Sequence, residues 1–372
     1  MNTPKVSDIA GIINKMAPPR FAEEWDNVGL QVGDAASPVD RIMVALDPTL
    51  GAVAAATDAQ CQLLLTHHPL IFSPLKRVVA SDAVGAAVTR AIRHGLAVFS
   101  LHTNYDMAVG GVNDLLAEKL GVTASAPLKV AAREELVKLS VFVPLGHEEG
   151  VLEELFRFGA PIGNYRDCSF RTAGTGTFRP LEGAAPFVGE VGKRAEVEET
   201  RVEVLLRGDD VAAAVAALRK AHPYEEPAYD LFPLLNRGTA RGHGRIGVLE
   251  HATTLDAFAA AVGKRLDASG VRYVGDGGRK IQKVALCGGS GAFLLREALY
   301  QGADVLVTGD VKYHEAREAE ALGVAVVDAG HFATELPMAA GLAASLGKEL
   351  ATRGFSATIT VFEGEKDPFS HV

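Results

Sequence analysis

The sequence predicts an α/β protein made of two pseudo-repeated α/β lobes with parallel-type sheets, plus an inserted α+β domain of ferredoxin-like type. Three observations predict this. Short apolar runs that read as buried strands alternate with helix-length segments near both ends of the chain. The two ends also match one another. KVALCGGSGAFLLREAL (283–299) parallels IMVALDPTLGAVAAA (42–56), ADVLVTGD parallels CQLLLTHH, and VAVVDAGH parallels AVFSLHT. The middle of the chain carries a different, alternating pattern.

Taken in order, VSDIAGIINKMAP spaces its apolar residues as an amphipathic helix does. RIMVALD (41–47) is a strand ending in Asp47, the Ala-rich LGAVAAATDAQ a helix, and CQLLLTHH the next strand. Residues 81–94 form a helix and GLAVFSLHT a strand. GGVNDLLAEKLG opens a helix with Asn113 as N-cap and closes it at Gly121. This β-α-β-α-β order implies a parallel sheet with right-handed crossovers. In the middle, LVKLSVFVP is an alternating strand and EEGVLEELFRFG a helix. GNYRDCSFRTAGTGTFRP is a Gly-punctuated strand pair, TRVEVLLRG a strand, DDVAAAVAALRKAH a helix and YDLFPL a strand. Two β-α-β units in succession suggest the split, ferredoxin-like sandwich. Pro127 and the turn Asn236-Arg237-Gly238 mark its edges. The expected domains are therefore 1–126, 127–236 and 237–372.

Composition narrows the function classes. The 372 residues carry a net charge of −9 without a long basic run, which gives no electrostatic case for nucleic-acid binding. No apolar stretch approaches the roughly 20 residues that span a bilayer, and the start lacks a signal-peptide pattern. Cys61, Cys168 and Cys287 are odd in number and far apart, which points away from a disulfide framework or a cysteine zinc site and toward a cytoplasmic protein.

Four strand-like runs end in metal-ligand residue types. LLLTHHPL ends in His67 and His68, AVFSLHTNYD in His102 and Asp106, ADVLVTGDVKYHEA in Asp310 and His314, and AVVDAGHFATE in His331 and Glu335. Imidazole and carboxylate suit zinc, iron or manganese, and open α/β sheets bind ligands at the carboxyl ends of their strands. Adjacent residues of a strand point to opposite faces, so His67 and His68 both ligate only if the chain leaves the strand there, as Pro69 encourages. They then reach either two metals or opposite sides of one. His331 and Glu335, four apart, share one face of a helical turn. Each motif has an ordinary explanation by itself: a loop pair, a surface His–Glu pair, a turn-capping Asp106. Three such coincidences at three strand ends favour one metal site. Asp106 and Glu335 are candidates to bridge two ions.

His102, Asp310 and His314 form a second tier that orients ligands, contacts substrate or moves protons; a polar helix-entry network accounts for them equally well. Asp47 and WDNVGLQVG (25–33) are expected near the cleft, with Trp25 read as packing. GGSG (288–291) is a weak anion-cradle signal, lacking a Walker lysine.

At WDNVGLQVG, LLLTHHPL, LHTNYDMAVGGVND, LVTGDVKYHEA and DAGHFATE the chain closely resembles the dinuclear-metal, toroidal hexamer proteins named GTP cyclohydrolase 1 type 2 homologues, or NIF-three-like proteins. These pieces span both lobes in the family's order. GNYRDCSFRTAGTGTF and HPYEEPAYDL resemble the insertion of longer members, which is similar to PII or CutA domains. The resemblance implies that His67, His68, Asp106, His331 and Glu335 ligate two divalent metals. It also implies a homohexamer, a trimer of dimers. Two functions follow as expectations. One is a metal-dependent hydrolase of a nucleotide or similar small molecule, using metal-bound hydroxide, with His314 or Asp310 as proton carrier and His102 and Asp47 supporting the ligands. The other is a non-catalytic metal-binding or regulatory ring in which the insertion senses a ligand.

Overall fold

After a first helix, Val6–Met16, come four short strands: β1 (Gly29–Val32), β2 (Arg41–Ala45), β3 (Leu63–Thr66) and β4 (Ala97–Ser100). The computed structural model describes residues 2–370. β3 and β4 are buried along their whole length, and β2, β3 and β4 pair in parallel. A parallel sheet covered on both faces demands such continuous apolar runs. Alternate residues serve the two sides. Val44, Leu65 and Phe99 pack with Ile9, Ile13 and Leu342, whereas Met43, Leu64 and Val98 pack with Val53, Ala56 and Val88.

β5 (Val122–Arg133) then carries the chain out of this first compact unit, which runs to Ala131 and resumes at Arg241; the second unit is Ala132–Ala240. The second unit holds β6 (Leu136–Pro144), β7 (Ser169–Phe178), β8 (Ala195–Arg207) and β9 (Tyr229–Pro233). They form one sheet in the order β7-β8-β6-β9, with every neighbour antiparallel. Helices Glu148–Phe156 and Val211–Ala221 share its apolar core, where Leu152, Leu155 and Leu218 meet Val141, Val202 and Val204.

The chain returns through β10 (Ala240–Thr254), followed by β11 (Arg272–Val274), β12 (Lys280–Ser290), β13 (Val305–Gly309) and β14 (Ala325–Asp328). The second sheet of the first unit has the order β11-β14-β13-β12-β10-β5; the first has β1-β4-β3-β2-β15, where β15 is Thr358–Val361. In both, three parallel strands sit centrally and an antiparallel strand closes one edge.

Three expectations need correcting. The sheets are mixed, not wholly parallel: β1, β10 and β11 run antiparallel to their neighbours. Pro127 is no boundary, because it lies inside β5, an edge strand where a missing N–H is tolerated. The end of the chain does not stay with the second sheet. Helix Pro337–Thr352 buries Met338, Leu342, Leu346 and Leu350, one stripe at helical spacing, in the core of the first sheet. β15 then pairs in parallel with β2, placing Ile359 beside Ile42.

Candidate metal centre

The carboxyl ends of β3 and β4 in one sheet and of β13 and β14 in the other supply one cluster of side chains. After Thr66 the chain leaves β3, and the amides of His67 and His68 both turn to the carbonyl of Leu46 (3.1 and 3.0 Å). The two rings then face a common space, with centroids 5.0 Å apart. The His102 ring lies 5.2 Å from His67 and 5.4 Å from His68, and His331 lies 5.5 Å from His68.

Every one of these imidazoles has its Nδ1 already engaged. His67 Nδ1 donates to the carbonyl of Leu101 at 2.8 Å, His68 Nδ1 to Asp47 at 2.7 Å, His102 Nδ1 to Asp26 at 2.8 Å and His331 Nδ1 to Asp310 at 2.7 Å. A carbonyl only accepts, so His67 carries a proton on Nδ1 and turns its Nε2 toward the cluster. Outer carboxylates of this kind fix ring orientation and raise the basicity of the inner nitrogen.

Glu335 stands at the centre, only 3% exposed. Its Oε1 faces His67 Nε2 at 3.7 Å, while its Oε2 faces His68 Nε2 at 3.2 Å and His331 Nε2 at 3.0 Å. Asp106 Oδ1 lies 3.6 Å from His67 Nε2. His67 Nε2 and Asp106 Oδ1 are buried without a hydrogen-bond partner. Buried polar atoms are rarely left so, and lone pairs that converge on one another fit a cation between them. Two groups of ligand atoms within 4.8 Å of one another meet that description, His67 with His68 and His102, and His68 with His331 and Glu335.

The charge balance without metal says the same. Burial opposes a charge on His68, yet Asp47 and Glu335 outweigh it and raise the imidazole to about 10. The hydrogen bond to Glu335, against burial, raises His331 to about 9. Burial pushes the Asp106 carboxyl up to about 7. Burial also acts on Glu335, but His67, His331 and His68 hold it well below the ordinary carboxylate range. The protein thus holds protons where a divalent ion would replace them.

The local backbone is shaped for this cluster. Gly289 has φ +60°, and a Cβ there would come within 2.3 Å of Glu335 Oε1. The GGSG run is therefore clearance for a carboxylate. Its amides are no anion cradle: Gly288, Gly289 and Gly291 donate to Asn113, Thr334 and Thr308. Asp310 is left-handed (φ 56°), a conformation Asp tolerates better than most residues.

Five expected ligands thus come together with His102, Asp47 and Asp310. His314 does not join them: its side chain is exposed at the start of helix Tyr313–Leu322 and its ring meets Tyr313. Trp25 is not core packing; it is 59% exposed and lies edge-on to His102. Asn113 is not a helix cap either. Gly111 takes that place, and the buried Asn113 amide bonds the Asp106 carbonyl at 3.0 Å and the Gly288 amide at 2.9 Å. Sequence reasoning missed Asp26, although it lies within the WDNVGLQVG segment. The Asp26 carboxyl resists burial through bonds to His102 and Thr103 and is lowered to about 2. Glu365, also missed, accepts the Leu46 amide at 2.6 Å beside Asp47.

A cavity of about 760 Å³ opens on this cluster, lined by Asp47, His68, Asp310 and His331 together with Arg272, Phe332 and Phe369. Among the described residues no helix is long and apolar enough to cross a membrane.

Comparison with known proteins agrees with this architecture. A protein from Halalkalibacterium halodurans named GTP cyclohydrolase 1 type 2 homolog is 41% identical over 362 residues, 97% of each chain. A Bacillus subtilis protein of the same name is 39% identical over 363 residues, again 97% of each. The crystal structure of a Bacillus cereus protein related to NIF3 superposes with a TM-score of 0.92 at 39% identity, covering 100% of both chains. The Duf34/NIF3 (NGG1p interacting factor 3) model matches residues 4–368, and the chain belongs to that family.

Proposed function

We propose that the chain is a dinuclear metal-dependent hydrolase of a nucleotide-like small molecule, with His67, His68, Asp106, His331 and Glu335 as ligands and His102 available beside them. One observation carries this reading: Glu335 turns one oxygen to His67 and the other to His68 and His331, as a carboxylate shared by two ions must. Zinc, iron and manganese all suit the imidazole–carboxylate set. When bound, such ions acidify water and polarise a substrate oxygen.

The chain's own residues supply the rest. Asp47 and Asp310 hold the Nδ1 protons of His68 and His331. Asp310, 47% exposed, also lines the cavity, where its carboxylate can exchange a proton with a bound substrate. Phe332 and Phe369 give the lining an apolar part, and Arg272, paired with Asp328 through Nε and Nη2, turns a guanidinium to the same space. The relatives' name supports a guanine nucleotide as the first compound to try. We read the two sheets of the first unit as pseudo-equivalent lobes, the second unit as a ferredoxin-like insertion, and the assembly as a hexameric ring.

The test is reconstitution with zinc, manganese or iron, elemental analysis, and a hydrolysis screen over nucleotides and phosphate esters, with His68→Ala as control. About two ions per chain and turnover lost in His68→Ala support the proposal. Two ions with no turnover on any compound favour the non-catalytic ring, and no bound metal ends both readings. Light scattering that gives a monomer mass would end the hexamer.

A further inference from the structure

The unit Ala132–Ala240 has a cavity of its own. β8 turns Val202, Val204 and Leu206 into the helix-covered core, so Glu199 and Arg201 point to the opposite, helix-free face. The loop after β7 and the segment around Tyr224 roof that face and enclose about 600 Å³. The two roof segments are tied together, because Glu225 accepts the Ala185 amide at 3.1 and 3.2 Å. This volume lies in the range of small-ligand sites.

The lining is specific. Phe142, Phe178, Phe187 and Tyr224 form aromatic walls, with Tyr224 5.9 Å from Phe178 and 6.1 Å from Phe187. Gly174 and Gly176 leave the floor flat. At Gly176 a Cβ would come within 2.0 Å of Glu199 Oε2, so the glutamate lies directly on the bare strand. Glu199 is only 8% exposed, and its Oε1 accepts the Tyr224 hydroxyl at 3.0 Å. A nearly buried carboxylate beside a flat floor and aromatic walls recognises N–H donors on the edge of a planar ring. Stacking on such rings is available to any base, while the carboxylate favours an exocyclic amino group over the uracil edge, whose one N–H lies between two carbonyl oxygens that repel it. Arg179 and Arg201 complete the lining and suit an anionic substituent.

We propose that this cavity is a second ligand site, which takes the amino-bearing edge of a purine or pyrimidine base on Glu199 with its ring against the aromatic walls. The site shares no residue with the candidate metal centre and does not depend on the function proposed there.

Calorimetry on the full chain tests it, with guanosine, adenosine and uridine monophosphates as probes. The His68→Ala background removes binding at the metal centre. Binding of the amino-bearing nucleotides is expected to persist in His68→Ala and to weaken at least tenfold in Glu199→Gln. Gly174→Val supplies a variant that keeps its fold, because a Cβ at Gly174 meets nothing within 4 Å and a β-branched residue suits a strand. Filling the floor in this way should also weaken binding at least tenfold with an unchanged melting temperature. The proposal is overturned if no probe binds at millimolar concentration or if uridine monophosphate binds as tightly as the amino-bearing nucleotides. It is equally overturned if binding disappears in His68→Ala while Gly174→Val retains it.

Discussion

Asp310→Asn isolates the part of the candidate centre that lies outside the five proposed ligands. Asp310 Oδ2 accepts from His331 Nδ1 at 2.7 Å, a charge-assisted bond when the imidazole is positive. Asn keeps the size of the side chain and tolerates the left-handed backbone at this position (φ 56°), so the fold should survive. What changes is the electron density at His331 Nε2, the atom 3.0 Å from Glu335. Both partners are partly exposed, His331 at 37% and Asp310 at 47%, so solvent screens the charge and the effect is moderate. Removing such an outer partner typically lowers metal affinity about 10–100-fold, or about 1.4–2.8 kcal/mol. Proton affinity should move the same way. Without metal the Glu335 bond, helped by Asp310, holds His331 at about 9; in Asp310→Asn it should fall toward the ordinary imidazole value. Competition with a chromophoric chelator measures the first effect, and NMR titration of the metal-free protein the second. An affinity within twofold of wild type, in a variant with unchanged circular dichroism, would refute the orienting role. Turnover lost at full metal occupancy would leave proton exchange as the task of Asp310.

The pH dependence of the metal-free protein has a definite sign. His68 and His331 are raised to about 10 and about 9, so their contribution is complete below about 6.5 and is lost as pH rises through 9 to 10. Asp106, raised to about 7, also favours lower pH, between its ordinary range and 7. The melting temperature of chelator-treated protein should therefore fall from pH 6 to 10, with the gain on adding zinc largest at the alkaline end; a flat metal-free profile would contradict this. Gly289→Ala places a methyl within 2.3 Å of Glu335 Oε1 in a left-handed conformation, and should abolish stoichiometric metal binding by elemental analysis while the protein still folds. Arg245→Met should cost about 3–5 kcal/mol in urea unfolding. It strips a buried guanidinium from Asp114 (2.5 and 2.9 Å) and from the carbonyls of Ala108, Gly242 and Gly244. His314→Ala should change neither metal content nor turnover by more than twofold, since the His314 side chain is exposed and its ring lies on Tyr313, away from the cluster.

What the sequence made legible follows from locality. A buried parallel strand must be apolar throughout and must end in a loop, so β3, β4, β13 and β14 and the residue types at their ends could be read from composition and spacing alone. His331 and Glu335 were readable because a single helical turn joins them. The illegible parts depend on tertiary geometry. Nothing local says that Asp26 reaches His102 across 76 positions, or that Glu365 reaches the amide of Leu46. The GGSG run carries a weak anion-cradle signal because a glycine free to take φ above zero, as Gly289 does at +60°, serves both purposes. Only the placement of Glu335 shows that the space is kept for a carboxylate. Asn113 looked like a cap for the same reason: Asn at the start of a helix is ordinarily local, yet here its amide joins the Asp106 carbonyl to the Gly288 amide. His314 failed in the opposite direction. Its spacing from Asp310 matched that of Glu335 from His331, but the left-handed turn at Asp310 precedes a helix that leaves His314 exposed. Equal spacing therefore marks a site only where the backbone between the two residues is helical. That condition holds over His331–Glu335 and fails between Asp310 and His314.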